Sequence, residues 1–308
     1  MSSAAQPMPR PEEAIRHRID NVPQLASLRS ISNALSNLLN TEYSFTAQIA
    51  EIISRDPSLT SRLLKLVNSV FFGISHKITN IEEAVFYLGL RQIKELALAT
   101  PVIEDFEQIQ RSVKGIEWRK LWQHSIGSAL LTREILAVAD ITYEDDTDYL
   151  IGLLHKVGKI VMAAAFPDEF VQIHQQTWTS PREVAEEERR LIGWDHAQMG
   201  AYYLQKNRLK AEIFEGIAHQ FSPTRAGRYA LTAAAIQLAD QMLVQEGIFG
   251  IENIEPVEKE EEDDEPMELH EQPGWMLLFG GKRQQANLAM ASLTRTLKRL
   301  PMTLEGMV

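Results

Sequence analysis

Residues 149–166 read YLIGLLHKVGKIVMAAAF. Apolar side chains fill most of these positions, and the run predicts a helix buried on most of its circumference. Gly152 and Gly158 lie inside it, and a helix that keeps glycine there is packed closely against a neighbour. His155 and Lys156 interrupt the apolar run near its middle.

The same period extends in both directions. In 116–139, IEWRKLWQHSIGSALLTREILAVA, Trp118, Trp122, Ile126 and Leu130 form one stripe with His124 beside it. Upstream, Phe45, Ile49, Ile52 and Ile53 make a stripe that stops before Pro57, and Leu59, Leu63, Leu66, Val67 and Val70 line the next. TNIE at 79–82 reads as a capping box, Ser180 and Pro181 open a helix over 180–194, and Asp195 caps the one that follows. The stretches 212–221 and 230–247 complete an all-α body.

Composition narrows the class. The chain has 308 residues, 44% of them hydrophobic and 24% charged, which suits a globular protein. No apolar stretch approaches the roughly 20 residues of a membrane span, and MSSAAQPMPRPEE lacks the apolar core of a secretory signal, so a cytoplasmic location is expected. With no cysteine, any metal must be held by His, Asp or Glu.

The net charge of -11 is unevenly placed. Residues 252–273 carry eleven acids and one lysine, whereas 274–308 carry five basic residues and one acid. The remainder is mildly acidic and lacks the basic field of a nucleic-acid binder. The acidic stretch predicts a disordered linker. Beyond it, an apolar patch at 275–279 leads into an amphipathic helix with Met290, Leu293, Leu297 and Leu300 on one face and Arg283, Arg295, Lys298 and Arg299 around it. Such a helix docks on the body, grips a partner groove or lies on an anionic membrane. The expected organisation is an extension at 1–19, a domain at 20–251, the linker at 252–273 and the terminal helix at 274–308.

Of eight histidines, His124, His155, His196 and His219 fall in helices that would converge, with Asp240 on the last helix of the body. Their order, His, then LLHKVGK, WDHAQMGA, IAHQF and IQLAD, resembles the helical HD superfamily of metal-dependent phosphohydrolases. There the resemblance implies histidines, a His-Asp doublet and a late aspartate around one or two divalent ions. An ion so held lowers the pKa of bound water and delivers hydroxide to a phosphoester.

The doublet here is His155-Lys156. A fixed unit charge about 4 Å from a divalent ion opposes it by roughly 8 kcal/mol at an effective dielectric near 20. Two routes remain open: Lys156 swings away and His124, His155 and Asp240 hold one ion weakly, or its ammonium takes the ion's place and pairs with Asp240.

The blocks IAEIISRDPSLTSRLLKLVNSVFFG (49–73), ITNIEEAVFYLGLRQIKELALA (78–99), WQHSIGSALL (122–131), YLIGLLHKVGKIVM (149–162) and WDHAQMGAYYL (194–204) resemble, in order, the HDOD family of bacterial signal-transduction proteins. The resemblance implies a two-lobed helical bundle, an N-terminal lobe packed on a degenerate HD-like lobe. It also implies a non-catalytic regulatory module whose partners are signalling proteins such as sensor kinases, response regulators or cyclic-dinucleotide enzymes. No cofactor is expected on that reading. The alternatives are a phosphohydrolase with an altered site, holding a single iron, manganese or zinc ion at His124, His155 and Asp240 with His196 and His219 nearby, and a nucleotide or small-molecule sensor in which Lys156 contacts an anion.

Overall fold

The computed structural model describes residues 10–22, 64, 76–86, 116–143, 147–206, 209–255, 272–280 and 283–307. These residues form eleven α-helices and no strand. The N-terminal lobe expected before residue 116 lies outside the described residues apart from short pieces, and so do the stripes at 45–53 and 59–70, Leu64 excepted. Most of the acidic stretch, 256–271, is outside them as well.

In chain order the helices are α1 (Glu12–Asp20), α2 (Trp118–Val138), α3 (Thr147–Leu154), α4 (Val157–Ala165), α5 (Pro167–His174), α6 (Pro181–Ile192), α7 (His196–Lys206), α8 (Ala211–Ala218), α9 (Ala230–Gln245), α10 (Pro273–Phe279) and α11 (Arg283–Met307). The described part of the expected extension is integral to the body: α1 packs on α4 and buries Ile15 and Ile19.

The local signals are realised with one shift. Ser180 Oγ accepts from the Glu183 N–H at 3.3 Å, and Gly193 closes α6 in the left-handed region at φ 108°. Asp195 accepts from the Gln198 N–H at 2.8 Å while Gln198 Oε1 accepts from the Asp195 N–H at 3.1 Å, a reciprocal cap for α7. The cap expected at Thr79 falls one residue later. Asn80 Oδ1 accepts from the Glu83 N–H at 2.8 Å, in the register that buries Ile81, Ala84 and Val85.

The run at 149–166 is two helices, broken at His155 and Lys156. On one continuous helix, consecutive side chains diverge and cannot serve the same site. At the break, His155 Nδ1–H donates to Gly152 O at 2.6 Å, satisfying a carbonyl that the end of α3 leaves free. The glycines pack as expected: a Cβ on Gly158 would lie 1.7 Å from the His196 carbonyl oxygen, and one on Gly152 would lie 2.5 Å from that of Ser128.

Two large clusters dominate the core of the described residues. The first gathers Trp118, Ile151, Ile160, Phe166, Phe170, Ile192, Met199 and Ile217, with Trp118 and Phe170 stacked at 5.8 Å. In the second, Trp275, Leu278, Phe279, Leu293, Leu297 and Leu300 pack on Leu131, Ile135, Leu238 and Leu243. The terminal helix therefore docks on the body, although Met290 on its expected inner face is 38% exposed. No single helix among the described residues is long and apolar enough to cross a membrane.

Candidate functional site

α2 brings His124, the α3–α4 break brings His155 and Lys156, and α9 brings Asp240 to one buried point. His124 Nε2 lies 2.8 Å from Asp240 Oδ1, His155 Nε2 3.4 Å and Lys156 Nζ 3.2 Å from the same oxygen. One potential ligand atom from each of His124, His155 and Asp240 falls within 4.8 Å of the others.

Both imidazoles are oriented from behind. His124 Nδ1–H donates to Ile248 O at 2.7 Å, as His155 Nδ1–H does to Gly152 O. A carbonyl only accepts, so each Nδ1 carries the hydrogen and each Nε2 turns toward a carboxylate oxygen that also only accepts. At 2.8 Å, His124 and Asp240 need a cation between them or a second proton on the ring. His155 Nε2 is buried without a hydrogen-bond partner.

The site continues past Lys156. That ammonium is 3.3 Å from Glu252 Oε1, and Lys159 Nζ is 3.1 Å from the same oxygen and 2.7 Å from Glu188 Oε1. Glu188 Oε2 in turn accepts from His196 Nδ1–H and from the His196 backbone N–H, each at 2.7 Å. The result is a line in which acidic side chains alternate with basic ones, His124, Asp240, Lys156, Glu252, Lys159, Glu188 and His196, all in the interior.

Burial alone would raise the pKa of each carboxyl. Lys156 together with His124 and His155 overrides it at Asp240, Lys156 and Lys159 at Glu252, and His196 and Lys159 at Glu188, so all three stay ionised well below the usual range. For Lys156 burial works toward the neutral amine, yet Asp240 and Glu252 push its pKa up. His155 has no such rescue, and burial takes its pKa down to about 4 despite Asp240.

Two of the expected ligands are elsewhere. His196 is turned to Glu188, with its ring nearly perpendicular to that of Phe221. His219 is the half-exposed C-cap of α8 and donates from Nδ1 to Glu215 O at 3.0 Å, so it stands outside the group. The expected linker gives up its first residues: Glu252 is buried in the ion-pair line, and Ile254 forms an isolated bridge with Trp178.

Glu188, Lys159 and Glu252 escape the sequence reading for different reasons. Glu188 sits in a run of charged residues, but it continues the inner stripe of Val184 and Ile192, which is a readable sign. Lys159 stands in an almost wholly apolar helix. Nothing local separates Glu252 from the acids after it.

An HDOD domain family model matches residues 25–223, more than half of the chain. The chain belongs to the HDOD family. This HDOD chain is similar in fold to an HDOD domain protein of unknown function from Geobacter sulfurreducens, with a TM-score of 0.76 and 22% identity over 96% of this chain and 97% of that one. A protein from Shewanella amazonensis SB2B, provisionally named a phosphohydrolase, matches with a TM-score of 0.69 and 21% identity over 96% and 98% of the two chains. One from Marinobacter aquaeolei VT8, provisionally named a signal transduction protein, matches at 0.65 and 17% over 96% and 65%. An uncharacterized protein of Treponema pallidum (strain Nichols) is 28% identical over 237 residues, 75% of this chain, and the match spans only 44% of that relative.

Proposed function

We propose that this HDOD protein is a bacterial signal-transduction module that works through protein contacts and does not hydrolyse phosphoesters. The observation that carries the reading is the Lys156 ammonium, 3.2 Å from Asp240 and 3.3 Å from Glu252, where a hydrolase of the HD type needs a carboxylate and an open coordination position. Lys156 and both imidazoles are almost wholly shielded from solvent. A surface groove of about 280 Å³ lies apart from them, lined by Arg16, Trp194, Tyr202 and Phe214 among others.

On this reading the pocket is the structural centre of an HD-like lobe against which an N-terminal lobe packs, and the molecule's outer faces meet a kinase, a response regulator or a cyclic-dinucleotide enzyme. The test is hydrolysis of a chromogenic phosphodiester and of cyclic dinucleotides with manganese, iron or zinc. The expected rate equals that of a His155→Ala variant. Metal-dependent turnover that His155→Ala abolishes would overturn the proposal.

A second reading has one observation in its favour: two imidazoles fixed from behind by carbonyls, one with a buried, unpartnered Nε2, facing a single carboxylate oxygen. Two nitrogens and one oxygen suit a single iron, manganese or zinc ion, and such an ion would supply Lewis acidity and an activated water. Lys156 opposes it by charge. Elemental analysis of protein purified without added metal decides, with a stoichiometric ion supporting this reading and substoichiometric metal rejecting it.

A further inference from the structure

Glu252 enters the site from a strap, residues 246–255, that follows α9. Gly247 at φ 77° and Gly250 at φ 74° take the left-handed conformation that favours glycine and let the strap turn twice. It is tied at both ends: Ile248 O accepts from His124, Asn253 O accepts from the Trp178 N–H at 2.9 Å, and the Glu255 N–H donates to Trp178 O at 2.9 Å.

Between these ties, one carboxylate oxygen serves two ammonium groups while the other, Oε2, is buried with no hydrogen-bond partner. A Cβ on Gly250 would lie 2.8 Å from that oxygen and 3.6 Å from His124 Cγ, so the strap backbone closes over the carboxylate and the imidazole together. His196, hydrogen-bonded to Glu188 beyond Lys159, keeps its Nε2 buried and unpartnered. Lys156 and Lys159 each carry three N–H donors, and Glu252 turns only one oxygen of its planar carboxylate toward them. A tetrahedral oxyanion presents more acceptors, in three dimensions, to the same groups.

We infer that Glu252 is an internal stand-in for a phosphate group, and that Lys156 and Lys159 form the floor of an anion site that opens when the strap lifts. The ligand class is inorganic phosphate or a phosphomonoester. The inference rests on the non-catalytic reading of the pocket, but the two fail separately: turnover ends that reading, and absence of anion binding ends this one.

The experiment uses the full chain and Glu252→Gln, which keeps the shape and removes the charge. About 10 mM inorganic phosphate is expected to raise the unfolding temperature of the variant by about 5 °C or more and to leave the native chain within about 1 °C. Sodium chloride at equal ionic strength is expected to do neither, and Lys159→Met added to Glu252→Gln is expected to abolish the shift. A folded Glu252→Gln that is indifferent to phosphate, or equally stabilised by chloride, overturns the inference.

If Glu252→Gln does not fold, hydrogen exchange on the native chain decides. Amides of residues 248–255 are expected to exchange about twofold faster in about 100 mM phosphate than in matched chloride, as the anion displaces the carboxylate. An unchanged rate overturns the inference. A larger shift with a nucleoside monophosphate assigns a phosphomonoester; equal shifts assign free phosphate.

Discussion

Lys159 Nζ lies 2.7 Å from Glu188 Oε1, and solvent reaches neither side chain. A buried pair of this kind adds little net stability, but removing one partner strands the other's charge. Lys159→Met is therefore expected to cost about 3–5 kcal/mol in urea unfolding, because it leaves Glu188 and Glu252 each short of a cation. Adding Glu188→Gln and Glu252→Gln should recover part of that loss, and a triple variant no more stable than the single one would contradict the account.

Stability should fall with mild acid. Burial pushes the pKa of His155 and His174 down to about 4 from an ordinary 6.5. The unfolded chain thus takes up protons near 6.5 that the fold refuses until about 4. The contribution of each ring is complete above that upper value and is lost as the pH drops toward the lower, about 2 kcal/mol per ring between pH 7 and 5. Asp240 and Glu252 are held low by Lys156, and their contribution persists until the pH falls below the ordinary carboxylate values of 3.8 and 4.5. Urea unfolding at pH 7 and pH 5 should show the slope, and His174→Phe should roughly halve it.

Gly158→Ala should be among the most damaging methyl additions in the chain. The new carbon would collide with the His196 carbonyl oxygen, and backbone cannot rotate aside as a side chain can. A loss of about 3 kcal/mol or more is expected by thermal or urea unfolding. Gly227→Ala is the contrast, since its added carbon meets nothing within 4 Å and only its φ of 56° resists.

Trp275→Ala tests the terminal docking. Trp275 is 5% exposed and packs on Phe279 at 4.6 Å between ring centroids, within the second core. Its truncation is expected to cost about 3–5 kcal/mol and to speed proteolysis of residues 283–307. An unchanged digestion pattern would mean that the docking does not depend on it.

Lys156→Asp reverses the charge beside Asp240 and Glu252. Without metal the three carboxylates should destabilise the fold, and with manganese or zinc the unfolding temperature should rise above that of the metal-treated native chain. Calorimetric titration that finds no tighter metal binding than in the native chain would mean that His124, His155 and Asp240 do not act as one donor set.

The helices and their caps were legible because each is a local matter: Ser180, Pro181 and Asp195 mark ends, and the period of apolar residues marks faces. The gathering of His124, His155 and Asp240 was legible through the order of residues that the family resemblance supplied. The break at His155 was not, because the apolar run continues across it. His196 and His219 stand apart from that group because ring direction depends on Glu188 and on the end of α8, which no local pattern encodes. Glu252 was hidden by composition, because its burial is decided by two lysines far upstream.

That distance in sequence has a temporal meaning. Glu252 is 96 residues after Lys156, so during synthesis the ribosome delivers the two lysines long before their shared counter-ion emerges. Until then Lys159 has only Glu188 and Lys156 only Asp240 as a partner, so the line of ion pairs is completed only after residue 252 has left the ribosome.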